Sequence, residues 1–255
     1  MTVMNPRRVL FLIVCLLLAV PVLAQDEAET PDSPLVQRAK EHIKTFNARR
    51  SGDENEAWKD RALALADSLE GEEEFAMAAH CYERAGILDY YAGDVDAALA
   101  SWETGLAAAR KSGDLKRIAA LLNAKANGIS AKGNNEAALA AHFETLEIRQ
   151  EMGDVRGEGS TWHNIAYSQL ALYQYPEAVA SLRNAIRLHR EAGNRHGLAV
   201  SYLSLAPRLE SYVRFEEARA IADSAVATSV EVDQPQYIGT SLNARGDMHH
   251  RHGRD

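Results

Sequence analysis

"EMGDVRGEGSTWHNIAYSQLALYQYPEAVASLRNAIRLHREAGN", residues 151–194, opens and closes on the same short break. Gly153 in "EMGD" and Gly193 in "EAGN" stand 40 residues apart, and Gly113 in "KSGD" lies another 40 before them. A second series runs half a period out of phase: Gly93, Gly133, then Tyr173 and Val213, then Gly253. Apolar-patterned stretches of about 18 residues separate the breaks, a common helix length. Glycine or asparagine after such a stretch ends a helix, because it accepts the left-handed backbone conformation found there. Each 40-residue unit therefore reads as two helices of similar length joined by tight turns. A fixed period of this size predicts an all-α solenoid, in which each unit buries its apolar face only against its neighbours.

The units run 35–74, 75–114, 115–154, 155–194 and 195–234, with a partial sixth from 235 to 255. Within them three columns hold small residues. The first is Gly86, Ala126, Ala166, Ala206 and Gly246; the second is Ala98, Ala138, Ala178 and Ala218; the third is Gly105, Thr145, Ala185 and Ala225. Small side chains let two helix backbones approach closely, so each column marks where paired helices touch. Bulky residues sit four before the first column: Tyr82, Leu122, Trp162, Tyr202 and Leu242. They are expected to fill the space beside each close contact. Pro207 follows a small-column residue; it removes one hydrogen bond and is expected to kink its helix.

These columns resemble the tetratricopeptide repeat family. The family's small positions are separated by 12 and then 7 residues, as Ala166, Ala178 and Ala185 are, and its aromatic precedes the first by four, as Trp162 does. The best match is "WHNIAYSQLALYQYPEAVASLRNAI", 162–186, and the resemblance covers 75–255. Unit 35–74 fits poorly, because Phe46, Trp58 and Leu65 occupy the small columns; a first repeat is often an atypical cap. The six residues beyond the family's usual 34 fall at the end of the second helix of one unit and the start of the next helix, and this resembles the long-helix variant found in bacterial signalling proteins. HEAT-type repeats share this period, but the three small columns favour the tetratricopeptide pattern.

The chain opens differently. Arg7 and Arg8 precede an apolar run from Val9 to Val22, and Val22-Leu23-Ala24 supplies the small residues a signal peptidase reads. Residues 1–24 thus read as a secretory signal peptide, with cleavage after Ala24 and export to the periplasm. The alternative is an uncleaved anchor, although the run is short for a membrane span. Residues 25–34, "QDEAETPDSP", read as a flexible acidic leader. Cleavage removes Arg7 and Arg8 from 28 basic residues and none of the 36 acidic ones, moving the formal charge from −8 to −10. Such a balance argues against nucleic acid as a partner. Cys81 is then the one cysteine left, so no internal disulfide is available.

The resemblance implies that the first helix of each unit lines a concave groove that holds a protein or peptide. One column on that helix is Glu83, Asn123, His163, Leu203 and Asn243; a turn further on come Ile87, Asn127, Tyr167, Pro207 and Asp247. Residues four apart share a helix face. Asn123, Asn127 and His163 offer both donors and acceptors to a peptide backbone. Tyr167 adds an apolar wall with a polar tip. These four are the candidate ligand patch; the alternative is that they solvate the inner face.

Catalytic signatures are lacking: there is no phosphate loop, no "HExxH", no "CxxC" and no nucleophile elbow. An enzymatic role, a cofactor and a metal are therefore not expected within 1–255. "RGD" at 245–247 falls inside a helical stretch, not an adhesion loop. In "DMHHRHGRD", 247–255, His249 and His252 share a helix spacing, but the set is incomplete for a metal. Gly253 aligns with Gly93 and Gly133, so the sequence reads as stopping in mid-repeat. Taken with the resemblance, the leading expectation is the periplasmic sensor region of a larger signal-transduction protein. Its output domain and any membrane segment would lie further on, and diguanylate cyclase (GGDEF-type) is favoured as output over histidine kinase or helix-turn-helix regulator. The alternative is a free periplasmic scaffold for envelope proteins.

Overall fold

The computed structural model of the chain describes residues 32–48, 55–211 and 215–251. The signal segment, most of the acidic leader, Val213, His252 and Gly253 lie outside the described residues, as do the side chains of Phe46 and His249. Met1–Pro34 and Leu35–Asp255 are separate units; of the first only Asp32–Pro34 are described, and the second holds the helical stack.

Among the described residues all regular structure is helical: α1 (Pro34–Ala48), α2 (Asn55–Gly71), α3 (Phe75–Ala92), α4 (Val95–Ser112), α5 (Leu115–Ala131), α6 (Asn135–Glu151), α7 (Val155–Ala171), α8 (Tyr175–Glu191), α9 (Arg195–Ser211), α10 (Phe215–Val232) and α11 (Pro235–Arg251). From α2 onward each helix is 17 or 18 residues long. Helix α9 runs on through Pro207, and "RGD" 245–247 lies within α11.

The turns set this regularity. Positive φ recurs at Glu73, Gly93, Gly113, Gly133, Gly153, Tyr173, Gly193 and Asp233, all on one 20-residue register. Five of these are glycine, which adopts the conformation without strain. The residue after each glycine then caps the next helix. Asp94, Asp114, Asn134, Asp154 and Asn194 each accept the backbone N–H three residues on, at 2.9–3.2 Å. Such a cap is worth about 1 kcal/mol. Tyr173-Gln174 breaks the pattern: Tyr173 holds a φ of 61°, and Gln174 makes no side-chain cap. Pro176, at the start of α8, takes over part of the initiating role by fixing φ near its helical value.

Consecutive helices pack in antiparallel fashion, and the small columns lie where they cross. Ala98, Ala138, Ala178 and Ala218 are wholly buried, as are Ala126, Ala166, Thr145 and Ala185. The spacing there is tight: a Cβ on Gly105 would stand 2.9 Å from Tyr82 Cβ. Of the bulky column, Tyr82, Leu122 and Tyr202 are buried against these crossings. The column loosens in α11, where Leu242 is exposed and a Cβ on Gly246 would meet nothing.

The first helices also touch each other directly. Helix α3 meets α5, α5 meets α7, α7 meets α9 and α9 meets α11, while the second helices make no comparable contacts among the described residues. The first helices are thus the inner, crowded layer and the second helices the outer one. In unit 35–74 the ring of Trp58 replaces the small residue at the crossing. It is buried and stacks on His42, with centroids 4.0 Å apart and planes 9° from parallel.

Candidate functional site

On the inner layer a cleft of about 340 Å³ opens where α3, α5 and α7 come together. Three residues of the sequence-derived patch line it: Asn127 from α5, and His163 and Tyr167 from α7. Helical spacing brings His163 and Tyr167 to one face, and the α5–α7 contact sets Asn127 opposite them. Tyr167 stands at the rim, 66% exposed. Tyr90, from α3, supplies a second aromatic ring. Ser130 and Asn164 complete the polar lining.

The fourth residue, Asn123, does not line the cleft. Its Oδ1 accepts a hydrogen bond from Asn164 Nδ2 at 2.8 Å. It therefore positions Asn164, whose carbonyl oxygen is left to face other partners. In the preceding unit the equivalent of Asn123 is Glu83, which is engaged by the Arg117 guanidinium in a largely buried ion pair. The same column thus closes one unit with charge and opens the next with amides.

His163 is held by α9. Its Nδ1 lies 3.3 Å from Ser201 Oγ, a wholly buried hydroxyl. Burial pushes the His163 pKa below its ordinary value, so the ring is neutral at neutral pH.

One lining residue escaped the sequence reading. His142 comes from α6, an outer helix, and reaches the back of the cleft. It is 1% exposed, and its Nδ1 has no hydrogen-bond partner. Burial, then the nearby Arg149 cation, pull its pKa down to about 4. Ser168 Oγ, on the neighbouring α7, is likewise buried without a partner. Buried polar groups are almost always paired, so the unpartnered His142 Nδ1 in the cleft wall marks a spot that a polar ligand would satisfy. The signal available in the sequence was positional: His142 continues the column Trp102, Leu182 and Ala222, in which it alone is polar.

Among the described residues no charged side chain lines the cleft. Among the described residues no group of three His, Cys, Asp or Glu side chains is placed to hold a metal, and no helix is long and apolar enough to cross a membrane. Cys81 is buried in the core beside Tyr82, and burial raises its thiol pKa to about 12.

No family model and no curated protein sequence matches the chain. Solved structures do. A Rap protein complexed with Competence and Sporulation Factor superposes with a TM-score of 0.66 at 14% identity, over 84% of this chain and 61% of that one. BtubC (BKLC) from P. vanneervenii gives a TM-score of 0.68 at 14% identity, over 87% of this chain and 85% of that one. A Signal Transduction ATPase with Numerous Domains from Pyrococcus horikoshii, which carries a tetratricopeptide repeat sensor, gives 0.68 at 16% identity, over 87% of this chain and 33% of that one. The chain thus spans about three fifths of the Rap protein and a third of the ATPase. The fold is that of a tetratricopeptide-like helical solenoid.

Proposed function

We propose that this chain is a non-enzymatic interaction module that holds a protein or peptide segment along its inner helices. The observation that carries the reading is the convergence of Asn127, His163 and Tyr167 on one cleft of the inner layer, with Asn123 positioning Asn164 beside them. Amide and neutral imidazole groups both donate and accept, as an extended backbone requires. Two similar structures lend support: the Rap protein was solved with a bound factor, and the repeats of the ATPase are described as its sensor.

The signal-like segment 1–24 supports export to the periplasm. The module then serves as the sensing part of a longer signalling protein, with a GGDEF-type cyclase the favoured output. Edman sequencing of the exported protein checks the address: Gln25 at the amino terminus is expected, and an intact Met1 contradicts cleavage. Binding itself is tested by panning a random peptide library on the full chain, then mapping the best peptide by hydrogen exchange. Protection along the inner faces of α5 and α7 is expected. Protection confined to the outer helices, or no enriched peptide, contradicts the reading.

A further inference from the structure

Position 102 and its 40-residue equivalents decide how each unit is filled. In unit 75–114 the indole of Trp102 occupies this place. It lies between two glycines: a Cβ on Gly86 would stand 2.4 Å from Trp102 Nε1, and one on Gly128 would stand 3.0 Å from Cζ3. The indole N–H is satisfied by the Glu83 carbonyl at 3.2 Å. In unit 155–194 the place belongs to Leu182, buried in an apolar cluster with Ala166, Leu198 and Tyr202. Between them, in unit 115–154, stands His142. Imidazole is smaller than indole, and here the cleft remains.

Repeat equivalence also explains the second orphan. Ser168 stands where the preceding unit has Gly128, the residue under the Trp102 ring. A closed, apolar contact in one unit thus becomes two buried polar atoms without partners in the next, His142 Nδ1 and Ser168 Oγ. Leaving such atoms unpaired is costly, and a ligand in the cleft that pairs His142 Nδ1 recovers part of that cost.

The lining restricts the ligand. A carboxylate or ammonium entering the cleft would lose hydration and find no charged side chain in the lining to pair with. Both imidazoles stay neutral, so they supply none. An aliphatic group would desolvate Asn127 and the Asn164 carbonyl oxygen and would leave His142 Nδ1 without a partner. A neutral group that donates and accepts together avoids both costs. The primary amide has that character, and it pairs reciprocally with an asparagine amide such as Asn127.

We infer that the cleft is a side-chain pocket for a carboxamide, the glutamine or asparagine of a bound segment, with His142 at its back wall and Asn127 and Asn164 at its sides. This rests on the reading that the inner helices hold a polypeptide. The pocket adds the specificity that backbone recognition lacks.

The test is an NMR titration of the full chain, followed by histidine ring and backbone amide shifts, with three blocked amino acids as probes. N-acetylglutamine N-methylamide, whose side chain is its one primary amide, is expected to shift His142, His163 and Asn127 in about the millimolar range, as suits so small a ligand. N-acetylglutamic acid N-methylamide, the same size but charged, and N-acetylleucine N-methylamide are expected to bind about tenfold more weakly or not at all. His142→Leu, which installs the residue of the next unit, is expected to abolish the glutamine-probe shifts while amide dispersion is retained. Asn127→Ala, at a half-buried position, is expected to weaken them as well. Equal shifts from the leucine or glutamate probe would overturn the carboxamide assignment and leave the groove in place. Shifts from none of the three, or unchanged glutamine binding in both variants, would overturn the pocket. The groove itself answers separately to the peptide-library selection.

Discussion

Units 75–114 and 115–154 share glycine–Asx turns and small columns, and their helices differ by one residue in length, yet one is sealed and the other is open. In the first, Trp102 fills the space between helices and Glu83 pairs with Arg117. In the second, His142 takes the tryptophan's place and Asn123 takes the glutamate's, and a polar cleft results. The comparison separates two kinds of position in the solenoid. Turns and small columns fix how closely backbones approach, so they barely vary. The filling positions on either side of those columns tolerate change, and chemistry enters there.

Breaking the sealed unit should cost most. Trp102→Ala removes a buried indole flanked by two glycines and should destabilise the fold by about 4 kcal/mol. His142→Leu removes an unpartnered polar group instead, so stability should hold or rise by about 1 kcal/mol. Urea unfolding of the two variants beside the parent measures both. Equal losses would erase the distinction between sealed and open units.

Acid should reveal the open unit next. His142, whose pKa lies near 4 when folded, rises to its ordinary 6.5 on unfolding. Between these values the unfolded chain binds the extra proton. Stability from this group is therefore complete above pH 6.5 and is lost as pH falls toward 4, by about 1.4 kcal/mol per pH unit. His189 acts in the same direction: burial, then the neighbouring His163, lower its pKa to about 4, and Asn194 Nδ2 donates to its Nδ1 at 3.1 Å. Unfolding at pH 7 and pH 5 should differ by about 2 kcal/mol less in His142→Leu than in the parent.

The turns supply the smallest effect. Tyr173 carries the left-handed conformation that glycine occupies in five of its equivalents. Tyr173→Gly should therefore stabilise the chain by about 1 kcal/mol, and Gly153→Tyr should destabilise it by a similar amount. Thermal melts of the pair check both signs. Tyr173 is 78% exposed, so lost packing contributes little.

These contrasts also show what could be seen in the sequence. The helix pairs were legible because turns and small columns recur without drift, and glycine is the cheapest answer to a positive φ. Glu73 and Asp233 hold the same conformation and were missed, since nothing but register marks them. Asn127, His163 and Tyr167 were legible as a shared inner face because helical spacing aligns them. Asn123 shares that spacing, but its bond to Asn164 depends on the distance between α5 and α7, which no local pattern encodes. His142 sits on an outer helix at the position from which Trp102 also points inward, and it borders an open cleft where the larger indole fills its own unit. That is a property of packing between helices.

The most direct test is the affinity of a library-selected peptide for the full chain and for Tyr167→Ala. Tyr167 is an exposed rim residue, so the variant should fold and melt like the parent. The account predicts binding weakened about tenfold, as loss of an aromatic wall implies. An unchanged dissociation constant would contradict the placement of the ligand on the inner helices.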